Sequence, residues 1–155
     1  MNSLVDEALI DALYRASRAG VPVDVTVRGI CSLIPGVPGL SDNIRVRSVL
    51  GRYLEHSRIY AFHNGGKDAV YIGSSDLMHR NLDRRVEVLV RLEAEDHLAR
   101  ITRLFDLHMS DNASSWILTS EGHWDRHTSH GEPLMDVQNT MMKDAEVRNK
   151  NGASR

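Results

Sequence analysis

The apolar positions at the start of the chain recur at helical spacing. Leu4, Val5, Ala8, Leu9, Ala12, Leu13 and Ala16 form one stripe. Ser3 stands where an N-cap belongs, Asp6 follows as its capping-box partner, and Gly20 with Pro22 stops the helix. Val23 to Val27 switches to a two-residue period and predicts a strand closed by Arg28-Gly29. After the turn-rich run Pro35-Gly36-Val37-Pro38-Gly39, Ile44 to Leu50 alternates like a strand. Arg52 to Glu55 fits a short turn of helix. Ser57 to Phe62 predicts a strand that a turn at Asn64 to Asp68 pairs back with Ala69 to Ile72. Arg84 to Leu92 alternates again, predicting a strand that buries the Val86-Val88-Val90 face or its neighbour. Ala94 to Met109 reads as an amphipathic helix with Leu98, Ile101, Leu104 and Phe105 inward. A short hairpin over Ser115 to Thr119 and Gly122 to His127 follows, then a helix from Leu134 to Arg148 and a frayed tail, Asn149 to Arg155.

Helices alternating with strands predict an α/β fold, a mixed sheet flanked by helices. The length of 155 residues fits one domain, read here as 1–130, with a C-terminal helix and tail over 131–155. A helix that runs straight into a strand ordinarily has a strand before it. Only two residues precede the Ser3 cap, so the expectation is that the first strand is missing. Neither GxGxxG nor GxxxxGK[ST] occurs, which removes the main support for Rossmann and P-loop readings. No apolar run reaches the roughly 18 residues a membrane span needs. Early acids and the lack of a basic leader segment argue against a signal peptide, and the single cysteine, Cys31, suits a reducing cytoplasm.

Charge is segregated. Between Arg45 and Arg91 lie nine basic residues, eight of them Arg, against five acids, within a chain of net charge −2. Arginine favours bidentate contact with planar or phosphate anions, although a solvated, ion-paired face has the same composition. Eight histidines are present. His97 and His108, on the late helix, read as surface or packing residues. His79 and His63 sit in turns. His123-x3-His127, with His130 nearby, lacks a third ligand at diagnostic spacing for a metal.

His56 has a different context, in Glu55-His56-Ser57-Arg58. On an extended chain His56 and Arg58 share a face, so an imidazole and a guanidinium can act on one phosphate. Gly73-Ser74-Ser75-Asp76 and Asn81 offer hydroxyl, amide and backbone N–H groups that could complete an anion cradle. Arg28, at the carboxyl end of a strand, is placed for an anion contact. On spacing alone, ordinary structural roles compete with each of these assignments.

The run VPVDVTVRGICSLIPGVPGLSDNIRVRSVLGRYLEHSRIYAFHNGG, with VYIGSSDLMHRNLDRRVEVLV, resembles the C-terminal domain of bacterial polyphosphate kinases that work through a phosphohistidine. The resemblance is long and fades after about Ser110. It implies a phospholipase D-like fold, in which His56-x-Arg58, Gly73-Ser74 and Asn81 form a drifted signature with Arg58 at a lysine position. It implies reversible transfer of the ATP γ-phosphate to polyphosphate, with Arg28 and His56 as ATP/phosphate-binding positions and His56 as a catalytic one. Arg58, Ser74 and Asn81 are secondary phosphate-lining candidates. The phosphohistidine has no counterpart in this sequence, so the chain is expected to be a fragment, inactive alone, that works with upstream domains in a homo-oligomer. ATP is the implied substrate, and Mg²⁺ is expected of the complete enzyme with no ligand for it found here. No nucleic acid is implied. The competing readings are a stand-alone phospholipase D-like phosphodiesterase and a non-catalytic polyphosphate-binding domain.

Overall fold

A computed structural model describes residues 1–129 and 131–152. The elements run α1 (Glu7–Arg18), β1 (Val23–Thr26), β2 (Ile44–Val49), β3 (Ile59–Phe62), a 3-10 turn (Asn64–Gly66) and β4 (Ala69–Gly73). They continue with α2 (His79–Asp83), β5 (Leu89–Leu92), α3 (Glu95–Ser110), β6 (Ser115–Leu118), β7 (Trp124–Arg126) and α4 (Val137–Gly152). This is the mixed α/β fold expected from the alternation of periods. One sheet has the order β1-β2-β6-β7, parallel between β1 and β2 and antiparallel beyond; the other is an antiparallel β3-β4-β5 meander. Leu4, Ile10, Val25, Val27, Leu33, Ile44, Val46 and Leu118 make the core, where β1 and β2 alternate inward and outward as their period requires.

The chain start departs from the sequence reading. Helix α1 begins later, capped by Asp6, whose Oδ1 accepts the Leu9 N–H at 3.0 Å. Residues before the cap are extended, and Leu4 forms parallel bridges to both Cys31 and Leu77. Gly29 N–H donates to the Asn2 carbonyl at 2.7 Å and Leu77 N–H to the Ser3 carbonyl at 3.2 Å, so this segment joins the surroundings of both sheets. Leu4 and Val5 belong to that extended run, which is why the stripe drawn through them misses the helix face. Ile10 and Ser17 are the buried helix positions, with Leu13 and Tyr14 packed beside them.

Three further corrections follow. Residues 52 and 53 are bends, and no helical turn forms over 52–55. The strand expected from Arg84 starts only at Leu89, and Val86, Val88 and Val90 are 99%, 59% and 52% exposed. β5 is the edge strand of its sheet, and Glu87 is drawn out of the ladder by side chains described below. Helix α4 starts at Val137 and continues through Asn149 to Gly152; residues 153–155 of the expected tail, like His130, lie outside the described residues.

Candidate functional site

The candidate residues gather where strands end. Arg28 lies just past β1. Arg58 immediately precedes β3, and Ser74 and Asp76 follow β4, which runs antiparallel to β3, so these positions share one end of the meander. The link is direct, because Gly73 N–H donates to the Arg58 carbonyl at 3.0 Å.

Asp76 is the centre of the arrangement. It is 1% exposed, and its Oδ1 accepts the backbone N–H of Asn2 at 2.7 Å and of Ser3 at 3.3 Å. Arg58 grips the same carboxylate with Nε at 3.2 Å from Oδ1 and Nη2 at 3.0 Å from Oδ2. Burial alone would push the Asp76 carboxyl up; the Arg58 and backbone donors outweigh it and hold it below its usual value. The third guanidinium nitrogen of Arg58, Nη1, lies 2.9 Å from His56 Nδ1 and 3.2 Å from Nε2, and donates to the His56 carbonyl at 3.0 Å. Arg58 thus spends its donors on the protein, while the His56 ring stays exposed. Behind them, Tyr60 donates to the Ser75 carbonyl at 2.7 Å, and burial with the nearby Asp76 charge pushes its phenol up to about 12.

Arg28 reaches this cluster through Asn2: its Nη2 donates to Asn2 Oδ1, and the Asn2 backbone is bound to Asp76. Its Nε is buried without a hydrogen-bond partner. Arg28 lines a small cleft with Met1, Thr26, Glu55, Ser57 and His108. A buried charged donor with no acceptor is costly unless an anion fills the gap.

Ser74 and Asn81 also meet, and on a protein anion. Ser74 Oγ donates to Glu87 Oε2, and Asn81 Nδ2 donates to Glu87 Oε1 at 2.6 Å. Those donors, Ser74 first, hold the Glu87 carboxyl below its usual value. The structure therefore brings Arg28, Arg58 and His56 into one connected unit and ties Ser74 and Asn81 together through Glu87.

Sequence reasoning missed three members. Asp76 stands in the sequence only as the last residue of the possible Gly73-to-Asp76 cradle, Asn2 precedes the Ser3 cap, and Glu87 falls on an alternating strand position. An acid beside the small residues after β4 was the available signal for Asp76. The Asn2 pairing with Asp76 spans 74 residues, and Glu87 pairs with Ser74 and Asn81, 13 and 6 residues earlier, so neither leaves a periodic signature. His79, read as a turn residue, has its Nδ1 3.1 Å from Asp6 Oδ2 and ties α2 to the α1 cap.

Among the described residues, no group of three or more His, Cys, Asp or Glu side chains is placed to hold a metal ion. Asp76 and Glu87 are already committed to protein donors, so the described residues do not fit a Mg²⁺ ion. No described helix is long and apolar enough to cross a membrane.

Residues 1–138 match the family described as polyphosphate kinase C-terminal domain 2. The chain belongs to that family. A polyphosphate kinase of Streptomyces coelicolor is 58% identical over 99% of this chain and 21% of its own length. Polyphosphate kinase 1 of Chlorobaculum tepidum is 51% identical over 92% of this chain and 20% of its own. The crystal structure of a polyphosphate kinase from Porphyromonas gingivalis superposes with a TM-score of 0.91 at 37% identity, covering 97% of this chain and 23% of that one. The chain thus spans about a fifth of the length of the curated polyphosphate kinases it matches.

Proposed function

We propose that this chain supplies the Arg28–His56 portion of a phosphoryl-transfer site in a polyphosphate kinase, which reversibly moves the terminal phosphoryl group of ATP to polyphosphate. One observation supports it most. Arg28 carries a buried Nε–H with no acceptor, and a hydrogen-bonded path through Asn2, Asp76 and Arg58 connects it to an exposed imidazole. Phosphoryl transfer asks a protein mainly for positioning and charge neutralisation, and this unit offers both.

In this reading Arg28 binds phosphate oxygens. His56 either stabilises charge on the transferring group or gives a proton to the leaving oxygen. Arg58, neutralised by Asp76, orients His56. The bond from the ATP β,γ-bridging oxygen to the terminal phosphorus breaks, and phosphorus joins a histidine outside this chain before passing to the terminal oxygen of polyphosphate. The partners are therefore ATP or ADP, polyphosphate and the upstream domains of the same enzyme, in a cytoplasmic homo-oligomer.

The test is transfer from [γ-³²P]ATP by this chain alone and with the upstream domains added in trans. Polyphosphate made only on mixing, and lost in His56→Ala, supports the proposal. Survival of nucleotide binding in that variant marks His56 as the acid, and loss of both marks it as a charge clamp. Label retained on His56 of the isolated chain would overturn the proposal and make that residue a nucleophile, as in a phospholipase D-like phosphodiesterase.

A further inference from the structure

His56 sits on residues 50–58, a stretch between β2 and β3 with no helix or strand of its own. Its neighbours Leu50, Tyr53 and Leu54 are exposed, so burial does not fix its path. Arg58 holds the His56 end of the stretch through the His56 carbonyl, and the part before it is fixed by Gln138, a residue far away in sequence and 6% exposed.

The Gln138 amide spends both ends on this stretch. Its Oε1 accepts the Tyr53 N–H at 2.8 Å, while Nε2 donates to the Tyr53 carbonyl at 2.8 Å and to Glu55 Oε1 at 2.7 Å. One side chain thereby satisfies both backbone groups of Tyr53, as a neighbouring strand would, and orients the carboxylate next to His56. The contact shapes the sequence around it. A Cβ on Gly51 would lie 2.4 Å from Gln138 Oε1 and 2.8 Å from Cδ, so a side chain there displaces the amide. Gln138 is itself held firmly. The preceding Val137 is fully buried, and its N–H donates at 2.9 Å to Asp111 Oδ2. The other Asp111 oxygen accepts from Ser114 N–H at 2.8 Å and Ser115 Oγ at 2.9 Å, at the head of β6. On its far side, Glu55 Oε2 lies 3.4 Å from His108 Nε2 on α3.

We infer that Gln138 is a positioning residue for His56, through which the start of α4 and the head of β6 fix the loop that carries the imidazole. This rests on the proposed role of His56 in phosphoryl transfer. It assigns the C-terminal helix a part in the chemistry, although α4 contributes no group to the reacting atoms.

The test joins two measurements on Gln138→Ala and Gly51→Ala. Amide hydrogen exchange on this chain should quicken at least about tenfold over 51–56 in both variants, with β1 and β2 unchanged, as expected when a local clamp opens without global unfolding. In the polyphosphate synthesis assay with upstream domains present, kcat should fall about tenfold to a hundredfold with KM for ATP within about threefold, because positioning is lost and binding is not. The double variant should be no worse than the poorer single one, since both changes remove the same contact. If Gln138→Ala loses its overall fold, Gly51→Ala, which keeps the buried Val137–Asp111 contact, decides by the same two readouts. Unchanged kcat in a folded variant with a loosened loop overturns the inference while His56→Ala remains inactive. Unchanged exchange overturns the clamp itself. Full activity of His56→Ala would instead overturn the functional reading, a result separable from the exchange data.

Discussion

Arg58 and Asp76 form a bidentate ion pair, with contacts of 3.2 and 3.0 Å, between side chains that are 14% and 1% exposed. The pair does two jobs. It neutralises a buried carboxylate that also binds the backbone of Asn2 and Ser3, and it leaves the third guanidinium nitrogen against His56. Removing one member of a buried pair leaves the other charge uncompensated. Asp76→Ala is therefore expected to lower stability by about 3–5 kcal/mol, measured as a shift in the urea midpoint. A loss below about 1 kcal/mol would show that the extended start of the chain holds without this anchor.

The stability of the chain should also fall towards mildly acid pH, and His108 is the reason. Burial, the largest effect, lowers its pKa below the usual histidine value, with Glu55 and Asp111 opposing. The folded state therefore binds fewer protons than the unfolded state just below that usual value of about 6.5. Stability is fully present above about pH 6.5 and declines as pH falls towards the lowered folded value. Asp76, also depressed, adds a second decline below about pH 4, within the ordinary carboxylate range. Urea midpoints between pH 5 and 8 check the first effect. His108→Gln should flatten that part of the profile, and an unaltered slope would remove His108 as its cause.

Which parts were legible in the sequence follows from the range of the interactions. The β3–β4 hairpin was readable because its turn and its alternation are local, and β1, β2 and α3 announce themselves through period alone. His56, Arg58 and Arg28 stood out through chemistry and resemblance. The true start of α1 was not legible. Ser3 reads as the cap with Asp6 as its capping-box partner, but Leu4, which bridges Cys31 and Leu77 from distant parts of the chain, holds Ser3 in the extended run and leaves Asp6 as the cap. For β5 the alternating valines gave the right element but the wrong burial, because edge position is a property of the sheet. Gln138 offered no signal at all, since its three hydrogen bonds reach Tyr53 and Glu55, 83 to 85 residues earlier.

Gly73 ends β4 where the chain turns towards Ser74. A Cβ there would lie 2.2 Å from the Val88 carbonyl oxygen and 2.5 Å from Leu89 Cδ2. Backbone cannot yield as a flexible side chain can, so Gly73→Ala must part β4 from β5 and carry Ser74 away from Glu87. The expected cost is about 1–3 kcal/mol, typical of overpacking. Hydrogen exchange should show the damage at Leu89 to Leu92 and spare β1 and β2. Uniform loss of protection across both sheets would mean that the meander and the larger sheet unfold as one unit.

Arg28 separates stability from function most sharply. Its Nη2 bonds to Asn2, but its buried Nε–H has no acceptor, so the unliganded protein gains little from that group. Arg28→Lys keeps the charge and removes the guanidinium fork. Its stability should stay within about 1 kcal/mol of the parent, because one lost donor was unsatisfied and the other makes a single hydrogen bond to Asn2. Phosphoryl transfer in the mixed assay should nevertheless fall about a hundredfold to a thousandfold, the range for losing one donor aimed at developing charge. Polyphosphate added at low salt should raise the thermal midpoint of the parent and raise it less for the variant, since only a folded site with the fork intact gains from the anion. Equal protection of both proteins, with activity intact, would leave Arg28 a structural link to Asn2 and return the anion contact to the arginines between Arg45 and Arg91.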